Sequence, residues 1–220
     1  MFIGRKTELK QLNEQYNSNK FEFAVIYGRR RIGKTSLIQE FIKNKEALFF
    51  TGLETTQKQN LINLSQVILQ SNSENISFNS FQAALENIFE QTNKKRIIFI
   101  IDEYPYLANS YPAISSILQL LIDKNKENSK LFLILCGSSL SFMEEQVLGY
   151  QSPLYGRRTS QYKIKPFSFF ETCDYYKTFS YEEKALIYGL TSGIPLYLSL
   201  FREDKSLKQN IIDIFLSSNG

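Results

Sequence analysis

Residues 28–35 read Gly-Arg-Arg-Arg-Ile-Gly-Lys-Thr, a spacing of glycines, lysine and hydroxyl that suits the holding of a polyphosphate. Gly28 lets the chain turn sharply off a strand, and Gly33 lets backbone come close to phosphate oxygens. The N–H groups between them form a nest for a β-phosphate, and a helix opening at Lys34 points its positive end at the same anion. Lys34 then reaches the β- and γ-phosphates, and the Thr35 hydroxyl is placed to ligate Mg²⁺. The expected nucleotide-binding set is Gly28, Arg29, Arg30, Arg31, Ile32, Gly33, Lys34, Thr35 and Ser36. The three arginines either touch phosphate or face solvent.

A second group lies at the end of the run Arg96-Ile-Ile-Phe-Ile-Ile-Asp102-Glu103. A carboxylate ending a buried parallel strand falls at the ligand crevice of such a sheet. Asp102 is expected to hold Mg²⁺ and Glu103 to orient or deprotonate an attacking water, so the pair favours hydrolysis over transfer to an acceptor. The third group is Leu133-Ile-Leu-Cys-Gly137-Ser138-Ser139. There Ser138 either brings a hydroxyl near the γ-phosphate or attacking water, or the serines cap the next helix.

These residues need strands to carry them and helices to cover those strands. Apolar or β-branched runs predict strands over Glu22–Tyr27, Ala47–Phe50, Ile97–Ile101, Leu131–Cys136 and Tyr162–Ile164. Helical spacing predicts helices from Thr7, as N-cap, to Tyr16, from Lys34 to about Asn44, over 57–70 and 79–91, and from Pro112 to Ile122. The polar stretch Ser71–Asn75 is read as a linker. Strands alternating with helices imply an α/β fold with a parallel sheet covered on both faces. After Pro166 the strand signal stops, which divides the chain into a core, 1–166, and a helical subdomain, 167–220.

Composition narrows the chemistry. The 220 residues include no histidine, which excludes His-based triads and the commonest zinc sites. Cys136 and Cys173 are far apart, and Cys136 reads as a reduced core residue. No apolar run reaches the length of a membrane span, and Met1–Lys6 lacks an apolar signal region, so a cytoplasmic protein is expected. The net charge of +4 is mild, and the Lys/Asn runs read as solvated loops before they read as a nucleic-acid patch.

Together these segments resemble the archaeal-type ATPase family, a branch of the P-loop ATPases close to the AAA+ and STAND groups. The resemblance rests on Phe2-Ile-Gly-Arg-Lys-Thr-Glu-Leu9, the phosphate loop, Ile101-Asp-Glu103 and Gly137-Ser-Ser139. It continues in Pro153-Leu-Tyr-Gly-Arg157-Arg158, Lys165-Pro-Phe167 and Gly193-Ile-Pro-Leu-Tyr-Leu198. It implies a three-layer P-loop NTPase sandwich with a five-stranded sheet of order 5-1-4-3-2, followed by a helical lid. It implies ATP and Mg²⁺, with Phe2, Ile3 and Gly4 against the adenine and Pro195 and Leu196 closing over the nucleotide. The family often carries an arginine in the lid as a second sensor, and the Gly193-Ile-Pro segment has none. Arg157 and Arg158 follow the fourth strand and its helix, where relatives carry an arginine that completes a neighbour's site; a surface pair stabilising a loop is the other reading. A homo-oligomer and a further C-terminal domain or protein partner are therefore expected. The leading reading is an ATPase whose hydrolysis moves the lid. The alternatives are a low-turnover nucleotide switch and a DNA-associated initiator- or loader-like ATPase.

Overall fold

The computed structural model describes residues 2–71 and 78–217. Five parallel strands, β1 (Glu22–Tyr27), β2 (Ala47–Thr51), β3 (Ile97–Asp102), β4 (Leu131–Gly137) and β5 (Ser160–Lys163), form one sheet in the order β2-β3-β4-β1-β5. This is the expected order read from the other edge. β3 and β4 are buried along their whole length, as strands covered on both faces must be.

Side-chain alternation sorts these strands between two apolar layers. Ala24, Ile26, Ile98, Ile100, Phe132, Ile134 and Cys136 face helices α1 (Lys6–Asn17) and α2 (Lys34–Phe41), where they meet Leu12, Leu37, Ile38 and Phe41. Their sequence neighbours Phe23, Val25, Ile97, Phe99, Ile101, Leu131, Leu133 and Leu135 face the other way. They pack under α3 (Gln57–Ser71), α4 (Phe81–Thr92), α5 (Tyr104–Ser110) and α6 (Ile114–Asn125). After β4, α7 (Leu140–Phe142) runs on as one wide π-type turn over Met143–Val147.

Several helix ends differ from the sequence expectation. Thr7 is not the N-cap of α1: Gly4 (φ 70°) and Arg5 (φ 57°) are both left-handed, so the chain reverses there and the helix starts at Lys6. α2 stops at Phe41 rather than near Asn44, because Asn44 (φ 60°) turns the chain toward β2. α4 begins at Phe81, where Ser80 accepts from the Ala83 N–H at 3.1 Å. α6 extends to Asn125. Helix α5 was not expected, since Pro105 sits in it and seven residues show no apolar period. Of the expected linker Ser71–Asn75, the positions from Asn72 on lie outside the described residues.

Beyond β5 the chain is helical: α8 (Phe169–Tyr175), α9 (Tyr181–Thr191), α10 (Pro195–Leu198) and α11 (Leu207–Ile211), the last continuing as a wide turn over Ile212–Leu216. Ser168 with Glu171, and Ser180 with Glu183, each close a reciprocal capping box, so both helix starts are written locally in the sequence. These helices have an apolar cluster of their own around Phe167, Tyr176, Ile187, Leu198 and Phe201. At the opposite end of the sheet, Arg96 donates to the carbonyls of Gln15 (2.9 Å), Lys130 (3.0 Å) and Lys20, gathering α1 and the starts of β1, β3 and β4.

Candidate nucleotide-binding site

Because every strand runs the same way, Tyr27, Asp102 and Gly137 arrive at one edge of the sheet, and the loops that follow them share that edge. Gly28 (φ 153°) starts the phosphate loop in a conformation closed to other residues. A Cβ there would stand 2.4 Å from the Ile164 carbonyl oxygen and 2.6 Å from Ile32 Cδ1. Gly33 (φ 85°) is the N-cap of α2, so the loop delivers the first turn of that helix directly to the crevice.

The Lys34 side chain is buried, and Nζ donates to the carbonyls of Gly28 (3.0 Å) and Arg29 (2.9 Å). The ammonium therefore lies along the inside of the loop, within the ring of backbone that would enclose a phosphate. One turn on, Thr35 Oγ1 donates to Asp102 Oδ2 at 2.9 Å, while Asp102 Oδ1 accepts from the Glu103 N–H at 3.0 Å. The predicted metal pair is thus joined across the crevice. Its donors are hard oxygens with a single carboxylate, which suits Mg²⁺ arriving on polyphosphate oxygens and does not suit a metal caged by protein alone. No group of three or more His, Cys, Asp or Glu among the described residues is placed to hold a metal ion.

Glu103 has left-handed backbone (φ 48°) at the start of α5, and its Oε2 accepts from Ser138 Oγ at 2.9 Å and from the Ser138 N–H at 3.4 Å. Ser138 therefore holds Glu103. The residue at the N-cap of α7 is Ser139, and its side chain makes no capping bond. Cys136 is a free, buried thiol under this cluster. Burial pushes its pKa well up and the Asp102 charge adds to the rise, so the sulfur stays protonated and inert.

A cavity of about 470 Å³ opens over these groups. It is lined by Arg30, Arg31, Ile32, Gly33, Lys34, Thr35 and Ser36 of the phosphate loop and α2, by Glu103, and by the largely apolar Phe2, Ile3, Phe167, Tyr175, Pro195 and Leu196. Of the predicted residues, Gly4, Gly28, Arg29, Asp102 and Ser138 do not line the cavity: Gly4 backs onto the Phe167 ring, Gly28 and Arg29 give their carbonyls to Lys34, and Asp102 and Ser138 bond the lining residues Thr35 and Glu103 from behind. Arg157 and Arg158 also lie outside it. Arg157 makes a bidentate pair with Asp123 (2.9 and 2.6 Å) and donates to the carbonyls of Pro153 and Tyr155, whereas Arg158 sits over the Tyr155 ring.

Sequence reasoning missed Arg5. Its guanidinium, 6% exposed, donates to the Ile32 carbonyl at 3.3 Å and to the Lys165 carbonyl, and lies 4.8 Å from the Phe167 ring centroid. Burial lowers its pKa, Glu8 and Glu171 act in the opposite sense, and Nε has no hydrogen-bond partner. Tyr175 and Ser199 of the cavity were missed as well. So were two phenols that meet the loop arginines: Arg30 Nη2 lies 2.6 Å from Tyr106 Oη, and Arg31 Nη1 lies 3.4 Å from Tyr197 Oη.

Comparison with known proteins agrees with this geometry. A family model of ATPase domains found predominantly in Archaea matches residues 2–201. An uncharacterised protein of Methanocaldococcus jannaschii is 39% identical over 222 residues, covering 98% of this chain and 48% of the relative. The chain thus spans about half the length of that relative. Among solved structures, the Walker-type ATPase of Pyrococcus abyssi superposes with a TM-score of 0.73 at 19% identity, covering 96% of this chain and 71% of that one. The Drosophila origin recognition complex bound to DNA gives 0.67 at 16% identity, covering 99% and 63%. At such identities these two likenesses speak to the fold.

Proposed function

The chain belongs to the family of ATPase domains found predominantly in Archaea, and we propose that it binds ATP with Mg²⁺ in the cavity over Lys34, hydrolyses it, and couples nucleotide state to movement of the helical segment 167–220. The observation that carries this reading is the joined pair Thr35–Asp102 beside Glu103, with Lys34 lying inside the loop. Lys34 and the loop amides bind and orient the polyphosphate, so little covalent work is asked of the protein. Thr35 and Asp102 would hold Mg²⁺, which neutralises charge on the β- and γ-oxygens when bound. Glu103 accepts the proton of the water that attacks the γ-phosphorus; the bond to the β,γ-bridging oxygen breaks, leaving ADP and phosphate. The largely apolar residues of the cavity exclude water around the base.

The lid role is supported by two links from the loop to α10: the Leu196 N–H to the Arg31 carbonyl at 3.4 Å, and Arg31 to Tyr197. Hydrogen exchange across α8–α11 with and without a non-hydrolysable ATP analogue tests it, and equal protection in both states would argue for a static appendage.

A low-turnover switch is the second reading, favoured by the Ser138 bond that already occupies Glu103. DNA association and supply of Arg157 or Arg158 to a neighbouring copy are further proposals, the first prompted by the DNA-bound structural relative. Steady-state turnover with and without DNA, using Lys34→Ala as the blank, separates these readings. DNA-independent turnover abolished by Lys34→Ala supports the ATPase; binding without turnover supports the switch; turnover raised by DNA supports the DNA-associated reading.

A further inference from the structure

We propose that Arg30 is the cation that contacts the γ-phosphate, and that Tyr106 positions it; this rests on the ATP-binding reading above. Four cationic side chains border the cavity, and they differ in which side of it they face. Arg5 is buried against two carbonyls, and Lys34 bonds the loop from inside. Arg31, whose side chain like that of Arg30 bonds only a phenol among the described residues, turns toward Tyr197 on α10, whereas Arg30 turns toward Tyr106 on α5. Arg30 is exposed, borders the cavity, and has no carboxylate within ion-pair distance among the described residues. Its one side-chain bond is to a neutral phenol. A guanidinium is a planar fork of donors, and a single phenol oxygen leaves most of that fork free for an anion.

The phenol also sets where that anion must be. Tyr106 lies in the first turn of α5, and its N–H donates to the Glu103 carbonyl at 3.0 Å. Arg30 is thereby drawn toward the α5 side of the crevice, where Glu103 stands, and away from the α10 side to which Arg31 turns. The loop amides and the start of α2 already serve the β-phosphate. The phosphoryl group nearest the water-activating carboxylate is the γ, which ATP has and ADP lacks. Arg30 therefore discriminates between the two nucleotides, whereas Lys34, enclosed by the loop, serves the β-phosphate as well and discriminates less.

Calorimetry with ADP and with a β,γ-imido ATP analogue tests this on the parent, Arg30→Ala, Arg30→Lys and Tyr106→Phe, each first checked for an unchanged melting temperature. Arg30→Ala is expected to weaken the analogue about tenfold or more while changing ADP by less than about twofold. Arg30→Lys should fall between, since a point charge replaces a fork. Tyr106→Phe should lose part of the analogue affinity and none of the ADP affinity, which a merely structural tyrosine would not do. Equal losses for both nucleotides, or none for either, overturn the proposal while leaving ATP binding in place. A parent protein that binds neither nucleotide overturns the ATP-binding reading and this inference with it.

Discussion

Ser138 Oγ stands 2.9 Å from Glu103 Oε2, so the first residue after β4 holds the carboxylate that follows β3. Ser138→Ala removes that tether without touching the phosphate loop. ATP affinity should stay within about twofold of the parent, and kcat should change by about three- to thirtyfold, since the carboxylate is no longer oriented. A fall in kcat means that Ser138 aims Glu103; a rise means that the bond restrains it, as the switch reading requires. Steady-state turnover beside calorimetry reads the split.

Glu103→Gln should keep ATP and Mg²⁺ binding and lose most turnover, because an amide of the same size accepts no proton. Asp102→Asn should instead weaken the Mg²⁺-dependent part of ATP binding, since Asp102 is the partner of Thr35. Binding measured with and without Mg²⁺, next to turnover, distinguishes the two variants. Parental turnover in Glu103→Gln would show that the acidic pair has been misassigned.

Arg96→Ala should destabilise the fold by about 1.5–3 kcal/mol, because it leaves the Gln15 and Lys130 carbonyls without their charged donor. It also uncovers the Tyr16 and Phe132 rings that the guanidinium packs on. Urea unfolding reads the loss, and nucleotide affinity should be unaffected because the site is at the other end of the strands.

Asp123→Asn tests the structural half of Arg157. The Arg157 hydrogen bond holds the Asp123 carboxyl below its ordinary pKa, partly opposed by desolvation. A depressed folded-state pKa adds stability above the unfolded value of about 4, and that stability is lost as the pH falls through the folded value. With Asp123 44% exposed, the gain stays below about 1 kcal/mol. Asp123→Asn should therefore flatten the acid limb of stability slightly, as read by thermal unfolding between about pH 6 and 3. It should also free Arg157. If Arg157 serves a neighbour, mixing Arg157→Ala/Arg158→Ala with Lys34→Ala should restore turnover that each lacks alone. No recovery where the subunits associate would leave the pair in its surface role.

What the sequence displayed was whatever is written locally. The phosphate loop and the Asp102-Glu103 pair are contiguous motifs, and β3 and β4 are unbroken apolar runs, so each could be placed without knowing its neighbours. The strand order was not readable from the residues and came with the family resemblance. Helix α5 escaped because about two turns around Pro105 carry no readable period. Arg5 and Tyr106 escaped for a different reason: their bonds close over 160 and 76 positions, and nothing in the residues nearby marks the partner. The start of α1 followed the same rule, since Arg5 adopts left-handed backbone while its side chain meets Ile32 and Lys165.

The contacts of Arg5 have a mechanical meaning. A single nitrogen, Nη2, bonds both the phosphate loop at Ile32 and the connector at Lys165, Nη1 faces Glu8 at 3.7 Å, and the guanidinium lies over the Phe167 ring at the root of the helical segment. Hydrogen bonds do not stretch: past roughly 3.5 Å they cease to count. A loop that shifts by an ångström must carry the connector with it or let go. Under the proposed lid reading, Arg5 is the hinge-pin through which a shift of the phosphate loop is passed to the start of the helical segment.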